Sequence, residues 1–506
     1  MRTVSTLSIA CALVACGDHR EPEAQQQKAK PKLKISPIPD RPDPYARPPG
    51  GGVSAVVAMN RFTPPPDTKR PGSGDEAYAP AATPTANGYQ IQFASGSPVP
   101  TPAIHNGKLI VSGGFNSHEI YAYDAKSGNN LWARTLSDDG PSNPVCEGEL
   151  CVFNSESCTT FAVNAKTGKV NWAWWLGDPQ TSAPTLANGI VFASYPAHGG
   201  NGGTHALSAF NAKTGRPMWQ LWLDGDVMSS PVAVDGFVFV TTFGGTVMKV
   251  DQKTGEIIYA IAMRATSAPV VVRDDKHEAL FLTTRAEERP EETKEAIVRA
   301  DVGETRPTFR ANAKFAPYLD GKVQAQTQMA KTAKIDDGEN GFSSAPSTAN
   351  ATVAKKIVGV ESVSTMQRFQ GSRVLVAGSL VVSTMGDEVV AVDSKTGDKK
   401  WSHKLAGDTR TAGGHLGTAP LLAGSNIVVA TLSGDILRLD AKTGALNATY
   451  KTGAQVRSQP AVQDGWIYVG TEDGRLLAIN TGDKSLTGWP TWGGDIARTA
   501  TRAPQI

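Results

Sequence analysis

Cysteine, histidine and charge of one sign are all scarce in this chain, and each scarcity excludes something. Five cysteines and eight histidines occur in 506 residues. No two cysteines stand at Cys-x-x-Cys spacing, so neither the usual zinc ribbon nor a haem-attachment Cys-x-x-Cys-His is written here. Beyond the N-terminus, no apolar run approaches the about 20 residues that a membrane-crossing helix needs. Formal net charge is +2. The repeats carry no basic block, which removes the electrostatic case for nucleic acid.

What is there in quantity is glycine (51), proline (33) and one phrase that keeps returning. Asp124-Ala125-Lys126-Ser127-Gly128 is followed by Trp132, and Asn164-Ala165-Lys166-Thr167-Gly168 by Trp172. Asn211 to Gly215 leads to Trp219, Asp251 to Gly255 to Tyr259, and Asp393 to Gly397 to Trp401. Asp440 to Gly444 has no aromatic at the matching place; Asn480-Thr481-Gly482 is a shortened copy and Asp301-Val302-Gly303 a worn one. The steps between the eight Asp/Asn positions are 40, 47, 40, 50, 92, 47 and 40 residues. A base period of about 40 suits a four-stranded propeller blade.

The phrase has a physical reading. Asp or Asn accepts hydrogen bonds from backbone N–H groups two or three residues on, which starts a turn. Gly four residues later supplies a positive φ without steric cost. The aromatic beyond it then lies on the next strand, where its flat surface packs between neighbouring sheets. Upstream, Ser230-Pro231-Val232-Ala233-Val234-Asp235-Gly236-Phe237-Val238-Phe239-Val240 reads as strand, Asp-Gly turn, strand. Thr246 to Val250 is a third strand, and the segment around Tyr259 a fourth. Similar layouts recur around Pro184, Pro420 and Pro460. The expected fold is all-β: an eight-bladed β-propeller of four-stranded antiparallel blades.

These repeats resemble the pyrroloquinoline-quinone (PQQ)-type propeller repeat over roughly residues 85 to 495. Residues 1–15 resemble a lipoprotein signal peptide. Arg2 gives a positive start, Val4 to Ala15 is too short to span a bilayer, and Leu13-Val14-Ala15-Cys16 resembles a lipobox. The resemblance implies lipid on Cys16, and Gly17 after it favours the outer membrane. Residues 16–84, rich in Pro, Gly, Gln and Lys, then form a disordered tether. The propeller occupies 85–495 with an insertion at 311–368, and 496–506 is a C-terminal tail. No blade precedes the first, so Tyr89 to Ser95 is expected to pair with strands from 460 to 480 and close the ring. Trp489-Pro490-Thr491-Trp492, with Asp495 and Arg498-Thr499, resembles a motif that packs along such rings, and competes for the closing place.

Few side chains suggest chemistry. Cys146 and Cys151 flank a turn, so a disulfide across that hairpin and free thiols both fit; Cys158 is a third thiol nearby, and Cys11 leaves with the signal. His198 and His205 frame a Gly-rich loop without a third ligand, and His415 reads as a turn residue. Trp174, Trp175, Trp222 and Trp466 are aromatics available to a ligand, though their places alternate with packing positions. The charged stretch Glu287 to Glu292 reads as a loop. Together with the 311–368 insertion it suggests a docking face on the fifth and sixth blades.

The resemblance implies three functional classes. Quinoprotein dehydrogenases hold PQQ with Ca2+, use a carboxylate base in the channel and typically carry two adjacent cysteines; this chain has no adjacent pair and no loop supplying the oxygen ligands of Ca2+. A second class is the BamB-like lipoprotein of the outer-membrane β-barrel assembly machinery, a rigid ring whose loops or strand edges engage protein partners. A third binds a ligand or cell-wall polymer. The expectation is the second: a noncatalytic, monomeric scaffold of the bacterial envelope with no catalytic, cofactor or metal residues. Its partners are envelope proteins, including the assembly machinery, and not nucleic acid.

Overall fold

The computed structural model describes residues 56–58 and 76–502, apart from 318–373 and the stretches 156–158, 177–181, 197–204, 224–226, 228, 243–245, 264, 274–276, 290–291, 303–306 and 410–414. The described strands form eight antiparallel blades of four strands, three of them with a further strand added, and in all but blade eight the four run in chain order from an innermost to an outermost strand. Blade one spans Ala103–Thr135, blade two Val145–Trp175, blade three Thr185–Leu223 and blade four Val232–Ala262. Blade five spans Val270–Pro317, blade six Leu375–Lys404, blade seven Leu421–Lys451, and blade eight begins at Ala461. The phrase found in the sequence is the turn from third to fourth strand. In it Asn164 Oδ1 accepts from the N–H of Lys166 at 2.9 Å and of Thr167 at 3.0 Å.

Blade eight takes its fourth strand from the far end of the chain. Gly88–Gln92 pairs antiparallel with Arg475–Asn480, Gly88 opposite Ile479 and Ile91 opposite Leu476. Thr83–Thr85 adds a fifth strand outside it. The ring therefore closes on hydrogen bonds rather than on a covalent join.

Between blades, the aromatic of one fourth strand docks on the turn of the next blade. Trp132 Nε1 donates to Ala165 O at 3.1 Å, Trp172 to Ala212 O at 2.8 Å, Trp219 to Gln252 O at 2.9 Å and Trp401 to Ala441 O at 3.1 Å. Tyr89 fills the same place in blade eight, its hydroxyl 2.9 Å from Ala125 O. The indole face lies flat on the turn glycine: a Cβ on Gly215 (φ +69°) would stand 2.6 Å from Trp172. Glycine is thus required twice there, by the turn and by the neighbouring blade.

Alanine stands opposite most of these aromatics. Ala122, Ala162, Ala209, Ala391 and Ala478 face Trp132, Trp172, Trp219, Trp401 and Tyr89. Where the third strand carries a long cation, the partner is not an indole: Lys249 faces Tyr259, Arg299 faces Phe309 and Arg438 faces Ala448.

The C-terminal segment lies inside the ring, not in the closing place. Trp489 exchanges backbone bonds with Val462 of blade eight at 2.7 and 3.1 Å, and Pro490 O accepts from Ile104 of blade one at 2.7 Å. Thr491 donates to Pro144 O at the entry of blade two. Ile496 O and Ala497 O accept from Leu186 of blade three and Ala233 of blade four. Thr501–Arg502 runs parallel to Val376–Ala377 of blade six. The segment competes poorly for the closing place because its carbonyls meet innermost strands, whose edges face the axis and have no other partner strand.

Candidate functional site

Two places differ from the repeating blade, the inner wall and blade five. At the inner wall, Arg498 and Trp492 are fully buried. The Arg498 guanidinium donates to Trp492 O at 2.6 Å and Asn143 O at 3.2 Å, reaches Pro184 O, and stacks 4.7 Å from the Trp492 ring. Buried Gln459 ties the segment to the blades: its Oε1 accepts from Trp489 Nε1 and Gly493 N, and its Nε2 donates to Ala419 O and Pro420 O. A quinone–Ca2+ site would need several converging oxygen ligands. Among the described residues no group of three or more His, Cys, Asp and Glu is placed to hold a metal ion.

Blade five is built on longer strands. Its second, third and fourth strands have 12, 10 and 9 residues, against 5 to 7 at the same places in the other described blades. Glu278–Arg289 and Glu292–Asp301 stay paired out to Arg289 opposite Glu292, so the stretch read from sequence as a charged loop is the end of a hairpin. Phe309–Pro317 pairs along it to Pro317 opposite Glu292. Residues 311 to 317, placed by sequence in the insertion, are therefore strand; the rest of the insertion lies outside the described residues. Apolar/polar alternation fades from Arg285 to Lys294 in the sequence, which is why that stretch reads as loop.

The base of this arm is fastened. Glu295 and His415 are both buried, with Glu295 Oε2 3.0 Å from His415 Nε2. Thr266 Oγ1 donates to Glu295 Oε1 at 2.7 Å, and Arg310 Nη2 donates to Thr284 Oγ1 at 2.9 Å. His415, read as a turn residue, thus ties the connection between blades six and seven to blade five. Nothing local in the sequence announces this, since its partner lies 120 positions upstream.

The remaining candidates fall as follows. Cys146 and Cys151 are directly opposite in the inner hairpin of blade two, with their sulfurs at 2.01 Å. Trp174 is buried with Nε1 on Gly215 O at 2.6 Å, and Trp466 stacks on Tyr468, so both serve packing. Trp175, Trp222 and His205 lie on strands of blades two and three. Cys11, Cys16, Cys158 and His198 lie outside the described residues. Asp138, between blades one and two, has a carboxyl pushed up by burial although Ser155 and Thr159 donate to it. Those two donors give it a structural account. Among the described residues no helix is long and apolar enough to cross a membrane.

Comparison with known proteins agrees with the architecture. The family described as outer membrane protein assembly factor BamB matches residues 73–195, 175–281 and 386–492. No curated protein sequence matches. Among solved structures, BamB from Moraxella catarrhalis is 15% identical, covers 79% of this chain and 97% of its own, and superposes with a TM-score of 0.48. The computationally designed Ika8 protein is 13% identical, with 77% and 98% covered and a TM-score of 0.52. A quinohemoprotein alcohol dehydrogenase from Pseudomonas putida HK5 is 12% identical, with 78% and 75% covered and a TM-score of 0.48. At these identities the likeness is one of fold.

Proposed function

The chain belongs to the outer membrane protein assembly factor BamB family, and on that premise we propose that its ring is a noncatalytic docking scaffold of the bacterial envelope. In this reading lipid on Cys16 holds it at the outer membrane, and its partners are proteins that assemble outer-membrane barrels. The observation that carries the proposal is the blade-five arm, three paired strands that outrun the other described blades and rise from a base fixed by Glu295, Thr266 and His415. A preorganised strand platform lowers the ordering cost of binding another chain. The inner wall, lined by the chain's own Trp492 and Arg498, supports a role for rims and edges rather than the axis. Cys146–Cys151 is read as a bridge that steadies blade two in an oxidising compartment.

The test is crosslinked capture from membranes with the full-length protein. It should recover barrel-assembly components, and replacing residues 286–293 by a short Gly-containing turn should lose them while thermal unfolding of the ring is unchanged. Equal recovery without the arm would overturn the docking site. Dye-linked alcohol oxidation after incubation with PQQ and Ca2+ would overturn the noncatalytic reading.

A further inference from the structure

The segment ahead of the ring meets it at three stations. Val56–Ala58 pairs antiparallel with the fourth strand of blade three, Val56 opposite Leu221, Val57 opposite Gln220 and Ala58 opposite Trp219. Glu76 is bridged to Arg134 on the fourth strand of blade one, and Ala77 N donates to Ala133 O at 3.3 Å. Thr83–Thr85 and Gly88–Gln92 then lie on blade eight. The stations follow ring order: three, one, eight. The chain between Ala58 and Glu76 reaches about 60 Å when extended, ample to pass the outer edge of blade two.

The sequence marks the first station independently of its pairing. Gly50-Gly51-Gly52 precedes it and Pro64-Pro65-Pro66 follows. Between them Val53, Val56 and Val57 make the β-branched stretch of a tether otherwise rich in residues that break strands. An outermost strand presents unpaired N–H and C=O groups, a ready template for an extended segment. Val-Val-Ala satisfies that template over three residue pairs.

We propose that Val56–Ala58 is a latch, in which the chain's own tether occupies the outer edge of blade three. Closed, the latch makes blade three the place where the leading segment leaves the ring. Open, that place moves round to Glu76 on blade one, and the free leader gains the residues up to 75. The latch therefore sets which side of the ring is held toward whatever anchors the N-terminus. With only three residue pairs, it opens far more readily than the blades themselves. The latch stands on this pairing alone; only the direction in which it turns the ring depends on lipid at Cys16.

Hydrogen exchange on the full-length protein in detergent micelles tests it. Val57→Pro removes an N–H and restricts the residue before it, without touching a blade. In that variant the amides of residues 218–223 that point away from the third strand should exchange roughly tenfold faster. Residues 130–135 of blade one should be unchanged, which shows that the ring is intact. A synthetic peptide with the sequence of residues 54–59 should restore protection in the variant and leave the natural protein unaffected. Unchanged exchange in Val57→Pro, or equal binding of the peptide to both proteins, would overturn the latch.

Discussion

The seams around blades one to four and those around blade five solve one packing problem in two ways. From one to four, an indole lies on the next blade's turn glycine and its N–H meets a turn carbonyl. Between blades four and five, Glu278 gathers Lys249 Nζ at 2.7 Å, Arg273 Nε at 2.7 Å and the Tyr259 hydroxyl at 3.0 Å, while Lys249 lies 4.2 Å over the Phe237 ring. Between five and six, Phe309 covers Gly397, and Arg299 Nη1 donates to Ser394 O at 2.9 Å. Ser394 stands at the turn position held elsewhere by Ala165 and Ala212, so a guanidinium replaces the indole as donor. Blade five is thus bounded on both sides by charged seams, and it carries the arm. A large apolar contact adds stability with little dependence on its surroundings, whereas a buried charge cluster roughly offsets its own desolvation and contributes mainly fit.

The comparison breaks most visibly at an indole. Trp219→Ala should lower the unfolding free energy by about 3–5 kcal/mol through lost burial and the cavity left behind. Urea denaturation measures it, and a loss under about 1 kcal/mol would mean that the seams are not held by the aromatic. Glu278→Gln comes next. It leaves Lys249 and Arg273 without their shared carboxylate and should cost about 2–3 kcal/mol; a loss as large as that of Trp219→Ala would erase the distinction between the two seam types.

The smallest effect belongs to the turns, which both kinds of seam share. Backbone N–H groups of Lys395 and Thr396, with Lys400, hold the Asp393 carboxyl down to about 2. Asp124 and Asp440 are lowered too, chiefly by the Ser127 N–H and the Thr443 hydroxyl. A carboxyl whose folded pKa lies below its unfolded value of about 3.9 stabilises fully above that value and loses its effect as pH falls toward 2. Melting temperature should therefore drop between about pH 5 and pH 2. Asp393→Asn should flatten part of that drop while leaving neutral-pH stability nearly unchanged, because Asn164 and Asn211 already make the same turn. An unchanged acid profile would sink this account.

Much of the ring is legible in the amino-acid sequence, because its turns repeat. Asp/Asn, Gly and the aromatic fall at fixed spacing, and that spacing encodes third strand, turn and fourth strand. Phe309 and Tyr89 escape the same pattern for physical reasons. Phe309 keeps the usual distance from Asp301 but has Thr305 where the other copies carry glycine, and Tyr89 joins its blade across nearly the whole chain, where no local period reaches. The arm and the Glu295–His415 contact are illegible for the related reason that they arise from pairing and burial between distant segments. The inner path of residues 489–502 is visible in sequence only as a motif, since the edges it satisfies belong to separate blades.

That inner path and the borrowed strand of blade eight together fix when the ring can finish folding. Gly88–Gln92 precedes its partner Arg475–Asn480 and the inner segment by seven blades of chain. Until those distant segments meet, the third strand of blade eight and the strand Gly88–Gln92 each lack a partner on one edge. Over that interval the unpaired edges invite misassembly, and chaperone protection bears on it.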